Sequence, residues 1–188
     1  MKELVIIGGA NGSGKTTFAR PYVEMLGYEF LNADDIAKQL SDEGYSTPLV
    51  KAGRIFFQKL HKFLADGQNF VVETTLSGSY INKVATKAIS KGYKVKIVYI
   101  FLDDPELCID RVKLRVLKGG HDVPEEAIRR RFFRSKSNFW NNFVPIVDVW
   151  GLYYNGDKGF QRVAVGERDE YLVENALLFN SFQSIKKQ

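Results

Sequence analysis

The residues Gly9-Ala10-Asn11-Gly12-Ser13-Gly14-Lys15-Thr16 have the types and order needed to hold a chain of phosphates. Glycines let backbone N–H groups close on anionic oxygens, and the start of the following helix adds a partial positive charge. Lys15 can reach the β- and γ-phosphates, and the Thr16 hydroxyl can ligate the Mg²⁺ that bridges them, with Thr17 next in the first helical turn. A dinucleotide loop is the rival. It requires Gly-x-Gly-x-x-Gly, which no three glycines here supply, although Asp34 and Asp35 follow at about the distance of a ribose-binding acid. The Lys15-Thr16 pair favours a nucleoside triphosphate.

Two further clusters could complete a phosphoryl-transfer site. Asp34 could deprotonate an attacking hydroxyl, and the competing reading of Asp34-Asp35 is a helix N-cap. In Glu73-Thr74-Thr75, Glu73 could bind substrate hydroxyls or hold Mg²⁺ through water, while the two threonines could donate to an acceptor. Cations concentrate downstream, in Arg111, Lys113, Arg115 and Lys118 and again in Arg129-Arg130-Arg131 and Arg134. They suit a mobile basic flap around residues 115–136 that closes over phosphates, hinged at Lys118-Gly119-Gly120-His121-Asp122-Val123-Pro124. Arg115 and Arg131 are the first choices for phosphate contact, with Arg111 and His121 behind them. The alternative for most of these cations is a solvated helix face opposite the apolar stripe Ile128, Phe132, Phe139 and Phe143.

Positioning such groups calls for strands that end where the loops begin. Apolar runs at 4–8, 28–32, 69–73, 93–102 and 146–154 alternate with helical patterns starting near Lys15, Asp34, Pro48, Gly78, Pro105 and Pro124. That alternation is the mark of an α/β fold on a parallel sheet. A short strand at 160–165 follows the turn at Gly156-Asp157-Lys158-Gly159, and a last helix is expected from about Arg168. Asn155, after the fifth strand, is placed to meet a purine. Phe56, Phe57, Leu60, Phe63 and Leu64 share one helical face and are assigned to the core; Tyr45 and Tyr80 help shape an acceptor pocket. The tail Lys186-Lys187-Gln188 is expected to fray.

The 188 residues suit a single domain, 1–188, and 45% hydrophobic with 26% charged residues is ordinary for a folded soluble chain. The apolar runs are too short to span a bilayer, and Met1-Lys2-Glu3 leads directly into a strand with no signal-peptide pattern. A cytoplasmic protein with no membrane partner is therefore expected. Cys108 alone excludes an internal disulfide, and two histidines leave too few ligands for zinc. A net charge of +5 suits an anionic ligand.

In this order, the loop at 9–16, Asn32-Ala33-Asp34, Glu73-Thr74-Thr75-Leu76-Ser77-Gly78, the Gly119–Pro124 hinge and Arg129-Arg130-Arg131-Phe132 resemble the zeta toxin family, in its compact bacterial branch of small P-loop kinases. The resemblance covers most of the chain. It implies a three-layer fold with a five-stranded parallel sheet of order 2-3-1-4-5. It also implies transfer of the ATP γ-phosphate to a hydroxyl of a nucleotide sugar such as UDP-N-acetylglucosamine. Asp34 then matches the catalytic aspartate, Glu73 and Thr75 match residues near the acceptor sugar, and Arg115 matches a phosphate-contacting arginine. The resemblance leaves room for an antitoxin partner without requiring one. Two positions depart from the pattern: Phe57 falls where larger toxins carry an acid, and His121 falls where they carry a second flap arginine, so Arg129, Arg130 or Arg131 must supply that charge.

Two other classes compete. A polynucleotide-end kinase or repair NTPase is suggested by Phe132, Phe133 and Trp140 among arginines, but these aromatics follow core spacing, so nucleic acid is not the expected partner. A non-catalytic nucleotide-dependent interaction module would use ATP only to order the flap. Acids at two separate strand ends argue for chemistry.

Overall fold

The computed structural model describes residues 1–168 and 170–185. Seven strands, β1 (Lys2–Gly8), β2 (Glu29–Leu31), β3 (Phe70–Thr74), β4 (Tyr93–Phe101), β5 (Val149–Gly156), β6 (Gly159–Glu167) and β7 (Glu170–Val173), form one sheet. Seven α-helices accompany them: α1 (Lys15–Leu26), α2 (Ala33–Asp42), α3 (Pro48–Asp66), α4 (Tyr80–Ser90), α5 (Pro105–Leu117), α6 (Glu125–Asn138) and α7 (Ala176–Ser184). A π-helical turn, Phe139–Phe143, extends α6.

The strand order is β2-β3-β1-β4-β5-β6-β7. The first five strands run parallel, and β6 and β7 are antiparallel additions. The expected five-stranded all-parallel sheet is therefore corrected to a seven-stranded mixed one. A tight turn at Gly156–Gly159 sends β6 back along β5, which a hairpin achieves without a crossover helix. The helix expected from Arg168 is also corrected. Arg168 adopts φ 53 in a turn, β7 follows, and α7 starts only after Asn175, whose Oδ1 accepts from Leu178 N at 3.1 Å. The fifth strand begins at Val149, later than expected, because the π-helical turn and the following residues occupy the approach to it.

Side chains alternate across β1 and sort the helices onto two faces. Leu4 and Ile6 join a core built from α3, α4, the π-helical turn and Phe182 of α7, whereas Val5 and Ile7 pack with Ala19 and Phe18 of α1. A third cluster, including Cys108, Val112, Ile128 and Phe132, joins α5 to α6. Ile128, Phe132, Phe139 and Phe143 are all buried, as their spacing predicts. Phe57 is not: it is 42% exposed, lying one step around α3 from the buried line of Phe56, Leu60 and Phe63. The tail residues 186–188 lie outside the described residues. Among those described, no helix is long and apolar enough to cross a membrane.

Candidate active site

β1 ends at Gly8 and the chain turns at once into the loop 9–14, where Ser13 N donates to Ala10 O at 3.2 Å. Gly14 takes the last loop position with φ 95, and a Cβ there would lie 2.2 Å from Asn155 Nδ2. Both the backbone angle and the contact require glycine. Asn155 Nδ2 donates to Ser13 O at 2.9 Å, and Asn155 O accepts from Arg111 Nη2 at 3.0 Å. The residue expected near a purine is thus a brace between α5, the end of β5 and the phosphate loop.

Lys15 opens α1, and its Nζ donates to Ala10 O at 2.8 Å. Burial pulls its ammonium pKa below the ordinary lysine value, against the opposing pull of Glu73 and Asp34. Ser13 Oγ is buried with no hydrogen-bond partner among the described residues. A lysine curled over its own loop and an unpaired hydroxyl within it fit a cradle built for phosphate oxygens. Thr16 Oγ1 donates to Glu73 Oε1 at 2.9 Å, a hydroxyl and a carboxylate of the kind Mg²⁺ selects. Thr17 is exposed on α1.

Glu73 gathers the site. Its Oε2 accepts from Asn32 Nδ2 at 2.8 Å, and desolvation raises its pKa above the ordinary glutamate value despite Lys15 and Thr16. Asn32 in turn caps α2, accepting from Asp34 N at 2.8 Å and more weakly from Asp35 N at 3.4 Å. The capping role weighed for Asp34-Asp35 therefore belongs to Asn32. Asp35 is paired with Arg20 at 3.0 Å, while the Asp34 carboxylate is exposed and has no ion-pair partner among the described residues. Its charge is nonetheless felt at both Lys15 and Glu73.

Beyond Glu73, Thr74 Oγ1 accepts from Leu76 N at 3.2 Å and Thr75 Oγ1 shares a 2.9 Å hydrogen bond with Ser77 Oγ. Leu76 holds φ 54, rare for a branched side chain, and is pinned there by Asn138 Nδ2 donating to its carbonyl at 2.6 Å. Thr74 thus shapes the turn, and Thr75 is half-buried within it.

The basic segment divides by partner. Arg131 Nη1 donates to Asn11 Oδ1 of the phosphate loop at 3.0 Å. Arg115 Nη2 donates to His121 O at 2.6 Å and its Nε is buried without a partner among the described residues. Arg129 pairs with Glu106 and Glu125, and His121 is exposed. Residues 115–136 are mostly helical, with 118–124 as the connection between α5 and α6.

Residues 4–136, which contain every one of these groups except Asn155 and Asn138, match the family model described as "AAA domain". The chain belongs to this AAA-domain family.

Among its relatives, this AAA domain is 28% identical over 158 residues to a cytidylate kinase of Archaeoglobus fulgidus, covering 79% of this chain and 81% of that protein. A chain of the AvrRxo1-ORF1:-ORF2 complex with ATP superposes with TM-score 0.78 at 21% identity over 98% of this chain. The AAA domain spans 64% of that longer chain. A chain from the PezAT chromosomal toxin–antitoxin system of Streptococcus pneumoniae gives TM-score 0.67 at 19% identity, covering all of this chain and 81% of that one. At these identities the two structures establish the P-loop kinase-like fold.

The AAA domain brings Gly9–Thr16, Asp34, Glu73 and Arg131 to one end of the sheet, with Arg115 close enough to act on Lys15. Asn138 is the site residue that spacing did not single out, and neither the capping role of Asn32 nor the bracing role of Asn155 was anticipated. Asn32 carried a usable signal, since an asparagine just before a helical pattern is a strong N-cap type. The other two act only through contacts between distant segments.

Proposed function

We propose that the chain is an ATP-dependent small-molecule kinase that phosphorylates a hydroxyl of a nucleotide sugar, of the UDP-N-acetylglucosamine kind, with Asp34 as general base. The observation that carries this reading is the pairing of Asn32 with Glu73, which caps α2 through Asn32 and leaves the Asp34 carboxylate free beside a phosphate loop.

The loop amides, Lys15 and Arg131 bind the triphosphate, and Arg115 completes the positive charge around it. Thr16 with Glu73 nearby would hold Mg²⁺, which when bound neutralises charge on the phosphate oxygens. Asp34 accepts the proton of the acceptor hydroxyl as its oxygen bonds to the γ-phosphorus and the bond to the β-phosphate oxygen breaks, releasing ADP. Glu73, Thr74, Thr75 and His121 line the acceptor side, and motion of the 115–136 flap excludes water. The fold shared with the toxin–antitoxin chain and the earlier zeta-toxin resemblance support the sugar acceptor and a protein antitoxin.

The cytidylate kinase relative favours a second acceptor, a nucleoside monophosphate. One experiment separates the two. The protein is incubated with ATP, Mg²⁺ and either a panel of nucleotide sugars or the four nucleoside monophosphates, and products are read by mass spectrometry. A phosphorylated nucleotide sugar supports the first reading; nucleoside diphosphates formed instead replace it with the second. Silence in both arms removes the acceptor class.

A further inference from the structure

We infer that the outer face formed by α3 and α4 is a binding surface for single-stranded nucleic acid, separate from the phosphate loop. The two helices hold most of the protein's excess charge. From residue 48 to 66 and from 80 to 91 the sequence has seven cations, Lys51, Arg54, Lys59, Lys62, Lys83, Lys87 and Lys91, against the single acid Asp66. With +5 on the whole chain, the remainder is close to neutral, so the excess is local and not a general surface property.

The arrangement is directional. Tyr80, Lys83, Lys87 and Lys91 recur at helical spacing along one exposed flank of α4, about 16 Å long at 1.5 Å per residue. Its other flank is turned away, since Asn82 Nδ2 donates to Asn142 O at 2.8 Å in the π-helical turn. On α3, Arg54, Phe57 and His61 form the matching exposed flank. The two flanks meet in an aromatic junction. Phe57 and Tyr80 lie 4.5 Å apart at 63°, and Tyr80 Oη shares a 2.7 Å hydrogen bond with His61 Nε2. Phe57 is 42% and Tyr80 36% exposed.

Of the seven cations only Lys62 has an ion-pair partner among the described residues, Asp66. Lys51 lies over the Tyr45 ring at 3.2 Å. The stripe Lys83-Lys87-Lys91 is left with its charge unspent.

Cations alone would suit an acidic peptide equally well. Half-exposed aromatic rings at the head of the α4 lysine stripe favour bases that stack while the backbone follows the lysines. Of the aromatics that first raised nucleic acid, Phe132 is buried and Phe133 and Trp140 pack half-buried against the core, whereas Phe57, which spacing assigned to the interior, is exposed. The length of the α4 stripe matches about three phosphates, giving a log–log salt slope of about −2.

The test is fluorescence anisotropy of the full chain with labelled twelve-residue oligothymidine and oligouridine, titrated at low and moderate salt. Both strands bind at low salt, or one does if the sugar is read. Phe57→Ala weakens binding roughly tenfold through lost stacking. Lys87→Glu weakens it by a comparable factor, while Arg168→Glu, on the opposite edge of the sheet, changes it little. Lys15→Ala leaves it intact, which separates this face from the nucleotide site and its failure from that of the kinase reading. The inference is overturned if neither strand binds, or if Arg168→Glu or Lys15→Ala weakens binding as much as Lys87→Glu does. Equal affinity for labelled oligoglutamate, insensitive to Phe57→Ala, would overturn it in favour of an acidic protein partner.

Discussion

Asn32 Nδ2 donates to Glu73 Oε2 at 2.8 Å, which ties the first turn of α2 to the end of β3. Removing that amide strips α2 of its cap and leaves a buried carboxylate one donor short. Asn32→Ala should lower stability by about 1–3 kcal/mol in urea denaturation and reduce phosphoryl transfer as well. An unchanged midpoint would show that the cap and the bridge are energetically idle.

Glu73 gives the pH dependence a definite sign. Burial holds its pKa above the ordinary glutamate value, so the folded state binds its proton more tightly than the unfolded chain does. The stability it contributes is complete below the unfolded pKa and is lost as pH rises through the folded one. Glu73→Gln mimics the protonated state. Relative to the variant, the wild type should be less stable around pH 8 than around pH 4 in paired thermal melts. A stability difference that stays flat, or grows in favour of the wild type with rising pH, contradicts the assignment.

What could be read from the sequence and what could not divide along physical lines. The placement of the phosphate loop, Asp34 and Glu73 at or just past strand ends is legible because each lies within one local element with its own signal. The parallel strands were legible from their apolar runs. Phe57 was misplaced because helical periodicity gives a face, and whether that face's margin is covered depends on how α3 sits against α4. The β7 segment reads as helix in sequence because a four-residue edge strand has too little pattern to compete, and the turn at Arg168 has no glycine to announce it. The braces from Asn155 to Ser13 and from Asn138 to Leu76 join residues far apart in sequence, so no spacing could reveal them.

Leu76 holds its unusual backbone over Gly8, where an added Cβ would fall 2.2 Å from Leu76 Cδ1. Gly8→Ala must therefore displace the buried Leu76 side chain in the turn that follows Glu73. A loss of about 1–3 kcal/mol in stability is expected from such overpacking, with weakened nucleotide binding in calorimetry. Wild-type behaviour in both would mean the turn is not held there.

Cys108 lies fully buried between the phosphate loop and α6, and desolvation pushes its thiol up to about 12. The folded protein should leave it unlabelled by a disulfide reagent near neutral pH, with labelling appearing only as denaturant unfolds the chain. Rapid labelling under native conditions would contradict this packing of α5 against the loop.

The central claim is that an exposed carboxylate beside the phosphate loop accepts the acceptor's proton, and Asp34→Asn tests it most directly. ATP affinity with Mg²⁺ by titration calorimetry and transfer by mass spectrometry are measured on the same preparation. The account predicts near wild-type ATP affinity, with transfer reduced roughly 10²- to 10⁴-fold. Full transfer by Asp34→Asn would contradict it and assign the proton to another group.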